Sequence, residues 1–250
     1  MGKLFSVVEI EVNSNCNRKC SYCPNSKYER KEKGEMTTEV FYKIISQLEE
    51  INFSGRIAYH FYGEPLLCKN LIHFIKYTKE KLPETRGVLY SNGDFLDEEK
   101  AKQLFSAGLD RIVVTNHDGK ENAFERRYRQ FPADIAEKVE YLQQEELHLT
   151  NRGGLLKGVG IEVKPKEICY VPTTLFVVTL LGNVVPCFED YEQKHVMGNI
   201  MEQDIRDIWN QPEYIEFRQK LENGEREIDS MCRACNNYSV QENMQFDYVL

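Results

Sequence analysis

The chain has 250 residues, which corresponds to one or two domains and is long enough to bury a sizeable core. Hydrophobic residues make up 41% of it and charged residues 29%, a balance that excludes collagen-like, low-complexity and wholly disordered chains. The 32 Lys and Arg are outnumbered by 40 Asp and Glu, so the net charge is -8. Because no stripe of Lys and Arg stands out, we expect no nucleic acid as principal partner.

The sequence contains no candidate membrane span. Its longest apolar run, residues 175–181, is far shorter than the ~20 residues that a transmembrane helix needs. The N-terminal segment carries Glu9 and Glu11, where a secretory signal has its apolar core. We therefore expect a cytoplasmic protein with no membrane partner.

Hydrophobic periodicity predicts that strands alternate with helices through residue 150. The predicted strands cover residues 4–12, 56–62, 87–91, 111–115 and 145–150. The predicted helices cover residues 37–50, 70–82, 97–107 and 134–142, and Glu137 completes a capping box in the last of them. After Gly160 the pattern changes to a hairpin, with strands at 173–181 and 184–187 around Gly182-Asn183. It is followed by one predicted helix that includes residues 204–210 and 214–222.

This order predicts an α/β fold. Five βαβ-type repeats fit into the first part of the chain, but a complete eight-fold barrel needs about 250 residues, so we expect an open partial (β/α) barrel of about five parallel strands over residues 1–160. Residues 161–250 are predicted to form a separate small module of a β-hairpin plus helix. Functional loops of such barrels follow the strands, and here the five predicted strands are followed by residues 16–23, 63–65, 92–93, 116–117 and 151–154.

The eight cysteines fall into two groups and one single residue. Cys16, Cys20 and Cys23 have the spacing C-x3-C-x2-C, four more lie in the last third of the chain, and Cys68 stands alone. Disulfides are disfavoured because cytoplasmic thiols stay reduced. Four thiolates complete the coordination of zinc or of a 4Fe-4S cluster, whereas three leave one iron of such a cluster open. The four late cysteines are Cys169, Cys187, Cys232 and Cys235.

The run Cys16-Asn17-Arg18-Lys19-Cys20-Ser21-Tyr22-Cys23 resembles the cluster-binding loop of the radical S-adenosylmethionine (SAM) enzymes. Tyr62-Gly63-Glu64-Pro65 is similar to the Gly-Gly-Glu-Pro stretch of that family, with Tyr62 in place of the first glycine. The resemblance implies that the three cysteines hold a 4Fe-4S cluster whose open iron binds SAM, and that reduction yields a 5'-deoxyadenosyl radical. The expected contacts to SAM are made by Tyr22, Tyr62, Gly63, Glu64, Ser91, Asn92 and His117.

The last third of the chain is similar to the twitch module, a truncated SPASM domain, and its four cysteines are implied to bind one auxiliary 4Fe-4S cluster. Nearly the whole chain, including Pro186-Cys187-Phe188-Glu189-Asp190, resembles the aminocyclitol dehydrogenases of this group, which act in the biosynthesis of aminoglycoside antibiotics such as butirosin. The implied reaction removes hydrogen from a secondary alcohol of the aminocyclitol and passes an electron to the auxiliary cluster, with an external reductant such as flavodoxin or ferredoxin. We expect a monomer. The implied substrate contacts are Tyr62, Tyr90, Arg152, Phe188 and Glu189.

Within that set, Arg152 is expected to act at the reacting hydroxyl. An arginine pKa above ~12 makes it a poor base, so orientation or proton relay is the expected role, and Glu189 is expected to pair with the substrate ammonium. Two alternatives remain from the residues alone. A radical SAM epimerase or peptide-modifying enzyme shares this architecture, and an epimerase would use Cys68 as hydrogen donor. A zinc-binding module on the late cysteines would leave the N-terminal triplet unexplained.

Overall fold

The computed structural model describes residues 4–160 and 168–237. Within these ranges, eight strands form one sheet in the spatial order β5-β4-β3-β2-β1-β6-β7-β8. The first six strands are mutually parallel along the sheet, whereas β7 and β8 are antiparallel to their neighbours. The strands are β1 (Val7–Ile10), β2 (Arg56–Ala58), β3 (Arg86–Ser91), β4 (Arg111–Thr115), β5 (Val139–Leu142), β6 (Leu175–Val178), β7 (Asn183–Val185) and β8 (Gly198–Asn199).

Helices connect the parallel strands and pack on the outer face of the sheet. The first helix shows why: Thr37 caps it by accepting from the Val40 backbone N–H, and Val40, Phe41, Ile44 and Leu48 are buried on one face. In the described residues the α-helices are α1 (Thr38–Glu50), α2 (Leu71–Lys81), α3 (Glu98–Ser106), α4 (Ala123–Tyr128), α5 (Ala133–Ala136), α6 (Val171–Thr174), α7 (Ile205–Asn210), α8 (Pro212–Glu222) and α9 (Ser230–Ala234). Short 3-10 helices cover Pro24–Ser26, Pro65–Leu67, Gln144–Glu146 and Arg226–Ile228.

The α/β fold with an open, mostly parallel sheet is confirmed, but two predicted elements are wrong. Residues 134–142 do not form one helix: α5 is a single turn, and Val139–Leu142 is the edge strand β5, paired with β4. The apolar residues at 135, 139 and 142 have helical spacing, yet pairing with β4 outweighs that local pattern. The predicted strand at 145–150 is instead a 3-10 helix, Gln144–Glu146, followed by chain outside any strand. Glu137 completes no capping box, because α5 has no side-chain cap. A capping box is present instead at the following 3-10 helix, between Gln143 and Glu146.

The last third of the chain shares its sheet with the first part. The predicted hairpin is present as β6 and β7, but residues 173 and 174 belong to α6 and β6 pairs in parallel with β1. Because β1 has β2 on its other side, one continuous sheet crosses the predicted boundary at residue 160. Strand β6 of the last third therefore extends the sheet of the first part, and the domain boundary at residue 160 stays a prediction.

The single helix predicted after the hairpin is divided into α7 and α8, because Gln211, which precedes Pro212, is extended. Asp204 caps α7 by accepting from the Arg206 backbone N–H, and Pro212 begins α8 at a position where no N–H is needed. No helix within the described ranges is long and apolar enough to cross a bilayer.

Candidate active site

A cleft of about 290 Å³ opens where β1 to β4 end. Its volume is near the lower end of the roughly 300–1,000 Å³ that is usual for small-molecule sites. The structure thus brings most of the predicted site residues to one place. Those lining the cleft are Cys16, Cys20, Tyr22, Cys23, Tyr62, Gly63, Glu64, Tyr90, Ser91, Asn92, His117, Arg152 and Phe188.

The three early cysteines lie on the loop after β1. Cys16 is exposed and the other two are half-buried, and burial raises the pKa of each thiol. The loop is held from outside by Arg18, which sequence reasoning did not single out. Its guanidinium donates to Asp94 at 2.6 and 2.7 Å and to Asp118 at 2.9 Å, so the loop after β1 is clamped to the loops after β3 and β4.

The segment 63–64 lies directly against the cysteine loop. A Cβ on Gly63 would stand 1.9 Å from the Asn13 carbonyl oxygen, so only glycine permits this approach. The Glu64 N–H donates to the Asn15 carbonyl at 2.8 Å, and Asn13 Nδ2 donates to the Glu64 carbonyl at 2.9 Å. The resemblance to the family's Gly-Gly-Glu-Pro stretch therefore has a structural basis at Gly63, even with Tyr62 beside it.

The aromatic and imidazole groups predicted to meet SAM also converge. Tyr22 Oη lies 2.5 Å from His117 Nδ1, which joins the cysteine loop to the end of β4. Burial lowers the pKa of His117 and raises that of Tyr22, so a neutral imidazole and a neutral phenol share this hydrogen bond. Asn92 Nδ2 donates to Asn17 Oδ1 at 2.9 Å and points toward the Cys16 sulfur. Tyr22, Asn92 and His117 all line the cleft.

The opposite wall contains Arg152, which lies on a loop after the 3-10 helix and not after a strand as predicted. Its guanidinium lies 5.4 Å from the centre of the Tyr62 ring and 3.8 Å from Glu189. Burial opposes its charge, but Tyr62 and Glu189 outweigh this effect and raise the pKa of Arg152. Tyr62 Oη donates to the Phe188 carbonyl at 2.6 Å. Arg152 is therefore a hydrogen-bond donor at the cleft and keeps its proton.

Glu189 lies behind Arg152 and lines a neighbouring cavity of about 210 Å³ that also contains Arg152. Both of its oxygens accept from Thr150 Oγ1, at 2.9 and 3.2 Å, and Oε1 accepts from Asn237 Nδ2 at 2.8 Å. The expected ammonium partner is thus already supplied with hydrogen-bond donors.

The four late cysteines come together beside the end of β7. Cys187 follows that strand, Cys169 precedes α6, and Cys232 and Cys235 lie in and at the end of α9. Cys187, Cys232 and Cys235 are buried and Cys169 is half-buried. Burial raises the pKa of all four thiols. Cys169 further raises the pKa of the other three, and Cys235 further raises those of Cys187 and Cys232.

The donor sets fit iron–sulfur clusters better than a single ion. In the described ranges, no three His, Cys, Asp or Glu side chains are placed to hold one metal ion. Thiolates of a cubane cluster bind different irons, so their sulfurs need not converge on one point. Backbone N–H groups also point at the sulfurs of Cys16, Cys187 and Cys235 at 3.3 to 3.4 Å, and such hydrogen bonds stabilise cluster thiolates.

Comparison with known proteins agrees with this arrangement. Residues 10–163 match the Radical SAM superfamily, and residues 169–236 match SPASM, an iron-sulfur cluster-binding domain. The chain belongs to the radical SAM superfamily and carries a SPASM domain. These two domains confirm the predicted cofactors, which are SAM and two iron–sulfur clusters.

Over its full length the chain is 49% identical to the S-adenosyl-L-methionine-dependent 2-deoxy-scyllo-inosamine dehydrogenase of Niallia circulans, covering 100% of both chains. It also matches the crystal structure of BtrN in complex with AdoMet and 2-DOIA, with a TM-score of 0.93, 49% identity and 100% of both chains covered. A BtrN structure in an open conformation matches with a TM-score of 0.79 and 44% identity over 100% of both chains.

Proposed function

We propose that this protein is a radical SAM dehydrogenase that oxidises a secondary alcohol of the aminocyclitol 2-deoxy-scyllo-inosamine to a ketone, in the biosynthesis of 2-deoxystreptamine-containing aminoglycoside antibiotics. The observation that carries the proposal is the full-length identity of 49% to a dehydrogenase of that name. The site is compatible with it, because Tyr62, Tyr90, Arg152 and Phe188 line the same cleft as the early cysteines.

The two cysteine groups have separate roles in this proposal. Cys16, Cys20 and Cys23 hold the cluster that binds SAM, and Cys169, Cys187, Cys232 and Cys235 hold the auxiliary cluster. When bound, these groups supply a 5'-deoxyadenosyl radical that removes hydrogen from the substrate carbon and an acceptor for the electron that the substrate then loses. Tyr22, Gly63, Glu64, Ser91, Asn92 and His117 position SAM. The protein contributes placement and electrostatics.

Arg152 orients the reacting hydroxyl as a hydrogen-bond donor. Glu189 and the Tyr62 ring fix its guanidinium on two sides, at 3.8 and 5.4 Å. Arg152 lies in the left-handed region with φ +50°, and a Cβ on the following Gly153 would lie 2.2 Å from the Met231 side chain. The loop therefore packs against α9, which carries Cys232. This packing links the residue at the hydroxyl to the element that holds the auxiliary cluster.

The epimerase alternative loses its hydrogen donor. Cys68 is 5% exposed and packs in the main apolar core, outside the lining of the cleft. An external reductant such as flavodoxin or ferredoxin is proposed to supply electrons to a monomeric, cytoplasmic enzyme, and the exposure of Cys16 supports electron entry at that loop.

The test is an anaerobic assay of reconstituted protein with SAM, reductant and 2-deoxy-scyllo-inosamine, in which 5'-deoxyadenosine and the amino-ketone are counted by mass spectrometry. Matched formation of both products is the expected result. Deoxyadenosine without ketone would reject the substrate and keep the radical chemistry. Neither product, from protein verified to hold both clusters, would reject the proposal.

A further inference from the structure

A buried carboxylate lies beneath the floor of the cleft. Glu9 is on β1, where it pairs in register with Ala58 of β2, and Ala58 pairs with Val88 of β3. Side chains two residues apart share a face of a sheet, so Glu9 lies on the same face as His60 and Tyr90, one step further from the strand ends. His60 and Tyr90 line the cleft, with ring centres 4.4 Å apart.

Glu9 and His60 approach each other without forming a hydrogen bond. Glu9 Oε1 is 3.9 Å from His60 Nε2, beyond hydrogen-bonding distance. Glu9 Oε2 and His60 Nδ1 are buried and have no hydrogen-bond partner within the part of the chain that the structure describes. A buried polar atom without a partner is destabilising. Each side chain of the pair therefore has one buried polar atom without a hydrogen-bond partner.

Burial and two nearby arginines set the charge states of Glu9 and His60. Burial raises the pKa of Glu9 to about 7 against the opposing influence of Arg56 and Arg152, and burial together with the same two arginines lowers the pKa of His60 to about 3. His60 is therefore a neutral imidazole, which offers an acceptor nitrogen. Glu9 Oε2 is thus an acceptor without a donor, and the His60 imidazole beside it keeps one acceptor nitrogen.

Other buried carboxylates near the cleft already accept hydrogen bonds from neighbouring groups. Glu11 pairs with Arg30 at 2.5 Å, and Glu64 accepts from Ser91 Oγ at 2.8 Å and from two backbone N–H groups. Glu189 accepts from Thr150 and Asn237 and lies beside Arg152. Of these side chains, Glu9 differs in having an oxygen without a donor.

We infer that Glu9 and His60 form the subsite for the ammonium group of the aminocyclitol, with the ammonium donating to the Glu9 carboxylate and to the imidazole of His60. This inference rests on the proposed function and replaces Glu189 as the ammonium partner. Glu189 then serves to hold Arg152. The Tyr90 ring is tilted by 40° against the His60 ring, with the ring centres 4.4 Å apart, and an aromatic ring attracts a cation by its negative face. With the ammonium held at the floor, the ring hydroxyls are directed toward Arg152 and the cysteine loop.

Calorimetric titration tests the subsite without turnover. Reconstituted protein with both clusters and SAM, but no reductant, is titrated anaerobically with 2-deoxy-scyllo-inosamine and with its analogue bearing hydroxyl in place of the amino group. The wild-type protein should prefer the amine, and Glu9→Gln should weaken amine binding about 30-fold or more while leaving the hydroxyl analogue within a few-fold. Glu189→Gln is the matched control and should keep the preference for the amine. Glu9→Asp should restore part of it.

Proton release gives a second readout. Binding an ammonium favours the ionised form of Glu9, so titrations near pH 7 in buffers of different ionisation heat should show proton release by the wild-type protein and none attributable to this site in Glu9→Gln. Retention of the amine preference by Glu9→Gln, or its loss in Glu189→Gln alone, would overturn the inference. If the wild-type protein binds the amine but forms no ketone, the proposed function fails while the subsite stands.

Discussion

Ser91 Oγ donates a 2.8 Å hydrogen bond to Glu64 Oε1 and so joins the end of β3 to the segment that packs on the cysteine loop. The same oxygen accepts from the Leu66 N–H at 3.0 Å, and the other oxygen accepts from the Asn92 N–H at 2.9 Å. Glu64 is 2% exposed. One buried carboxylate therefore fixes the backbone of two loops that are proposed to contact SAM.

Replacing Glu64 should loosen both loops. In Glu64→Ala, the Asn92 and Leu66 N–H groups lose their acceptor, and each unsatisfied buried group costs about 1–3 kcal/mol. We expect a lower free energy of unfolding and SAM binding weaker by about tenfold or more, measured by denaturant unfolding and by SAM titration. Glu84→Ala, at an exposed position, is the control. SAM affinity equal to that of the wild-type protein would contradict the proposed positioning.

Replacing a cysteine of the early group and replacing one of the late group should affect SAM cleavage and ketone formation differently. Wild-type protein should contain about eight irons, and either Cys16→Ala or Cys187→Ala should contain about four. Cys16→Ala should abolish SAM cleavage, because the open iron is lost. Cys187→Ala should retain cleavage but form no ketone, because the electron has no acceptor. Iron and sulfide analysis with product counting measures this.

Cys68→Ala is the matched control for both variants, since Cys68 lies in the apolar core outside both groups. It should keep about eight irons and form ketone. A Cys187→Ala protein that forms ketone at the wild-type rate would show that the second cysteine group is not needed for the oxidation.

The parts of the site that could be predicted are those set by local chemistry. The spacing of Cys16, Cys20 and Cys23 is that of a cluster-binding loop, and Gly63 was predicted from the resemblance of residues 62–65 to the family's Gly-Gly-Glu-Pro stretch. The structure adds the reason for that glycine, which is the close approach of the Asn13 backbone. The clamp of Arg18 on Asp94 and Asp118 was missed because it joins loops that are far apart in the chain. In the sequence, Glu9 served only as an argument against a secretory signal. Its burial on β1, which marks it as a candidate for a functional role, is visible only in the structure.

The predicted elements failed where tertiary pairing outweighs local pattern. Strands β1 to β4 overlap the four strands that hydrophobic periodicity predicts over residues 4–12, 56–62, 87–91 and 111–115. Residues 139–142 were assigned to a helix because a short edge strand beside α5 has no periodicity of its own. The pairing of β6 with β1 joins residues about 170 apart, and nothing in the sequence near either strand indicates it.

A buried ion pair should couple the cysteine loop to the last third of the chain. Arg30 pairs with Glu11 at 2.5 Å, donates to the Tyr191 carbonyl at 3.3 Å and stacks over the Tyr191 ring at 4.9 Å. Arg30→Met leaves a carboxylate buried without its partner, which costs roughly 3–5 kcal/mol. We expect that loss in denaturant unfolding.

A double variant distinguishes the contribution of the ion pair to stability from that of side-chain packing. Arg30→Met with Glu11→Gln removes both charges and should recover a large part of the lost stability, because no charge is then left buried. If the double variant is as unstable as the sum of the two single variants, the ion pair contributes no coupling energy.

The stability of the protein should depend on pH through Glu9. Burial raises the pKa of Glu9 to about 7, above that of the unfolded chain, so its favourable contribution is complete at low pH and is lost as the pH rises through about 7. For one such group the free energy of unfolding should fall by roughly 1 kcal/mol between pH 6 and pH 8.

Glu9→Gln removes the ionisation of residue 9, so the free energy of unfolding of the variant should fall less than that of the wild-type protein between pH 6 and pH 8. In thermal unfolding of the anaerobic, cluster-containing protein, the fall in Tm should be smaller by about 2–4 °C. Glu50→Gln, at an exposed position of α1, should follow the wild-type profile. Equal pH dependence in Glu9→Gln and the wild-type protein would show that Glu9 ionises as freely in the folded chain as in the unfolded one. The proton release expected from ammonium binding would then have no source.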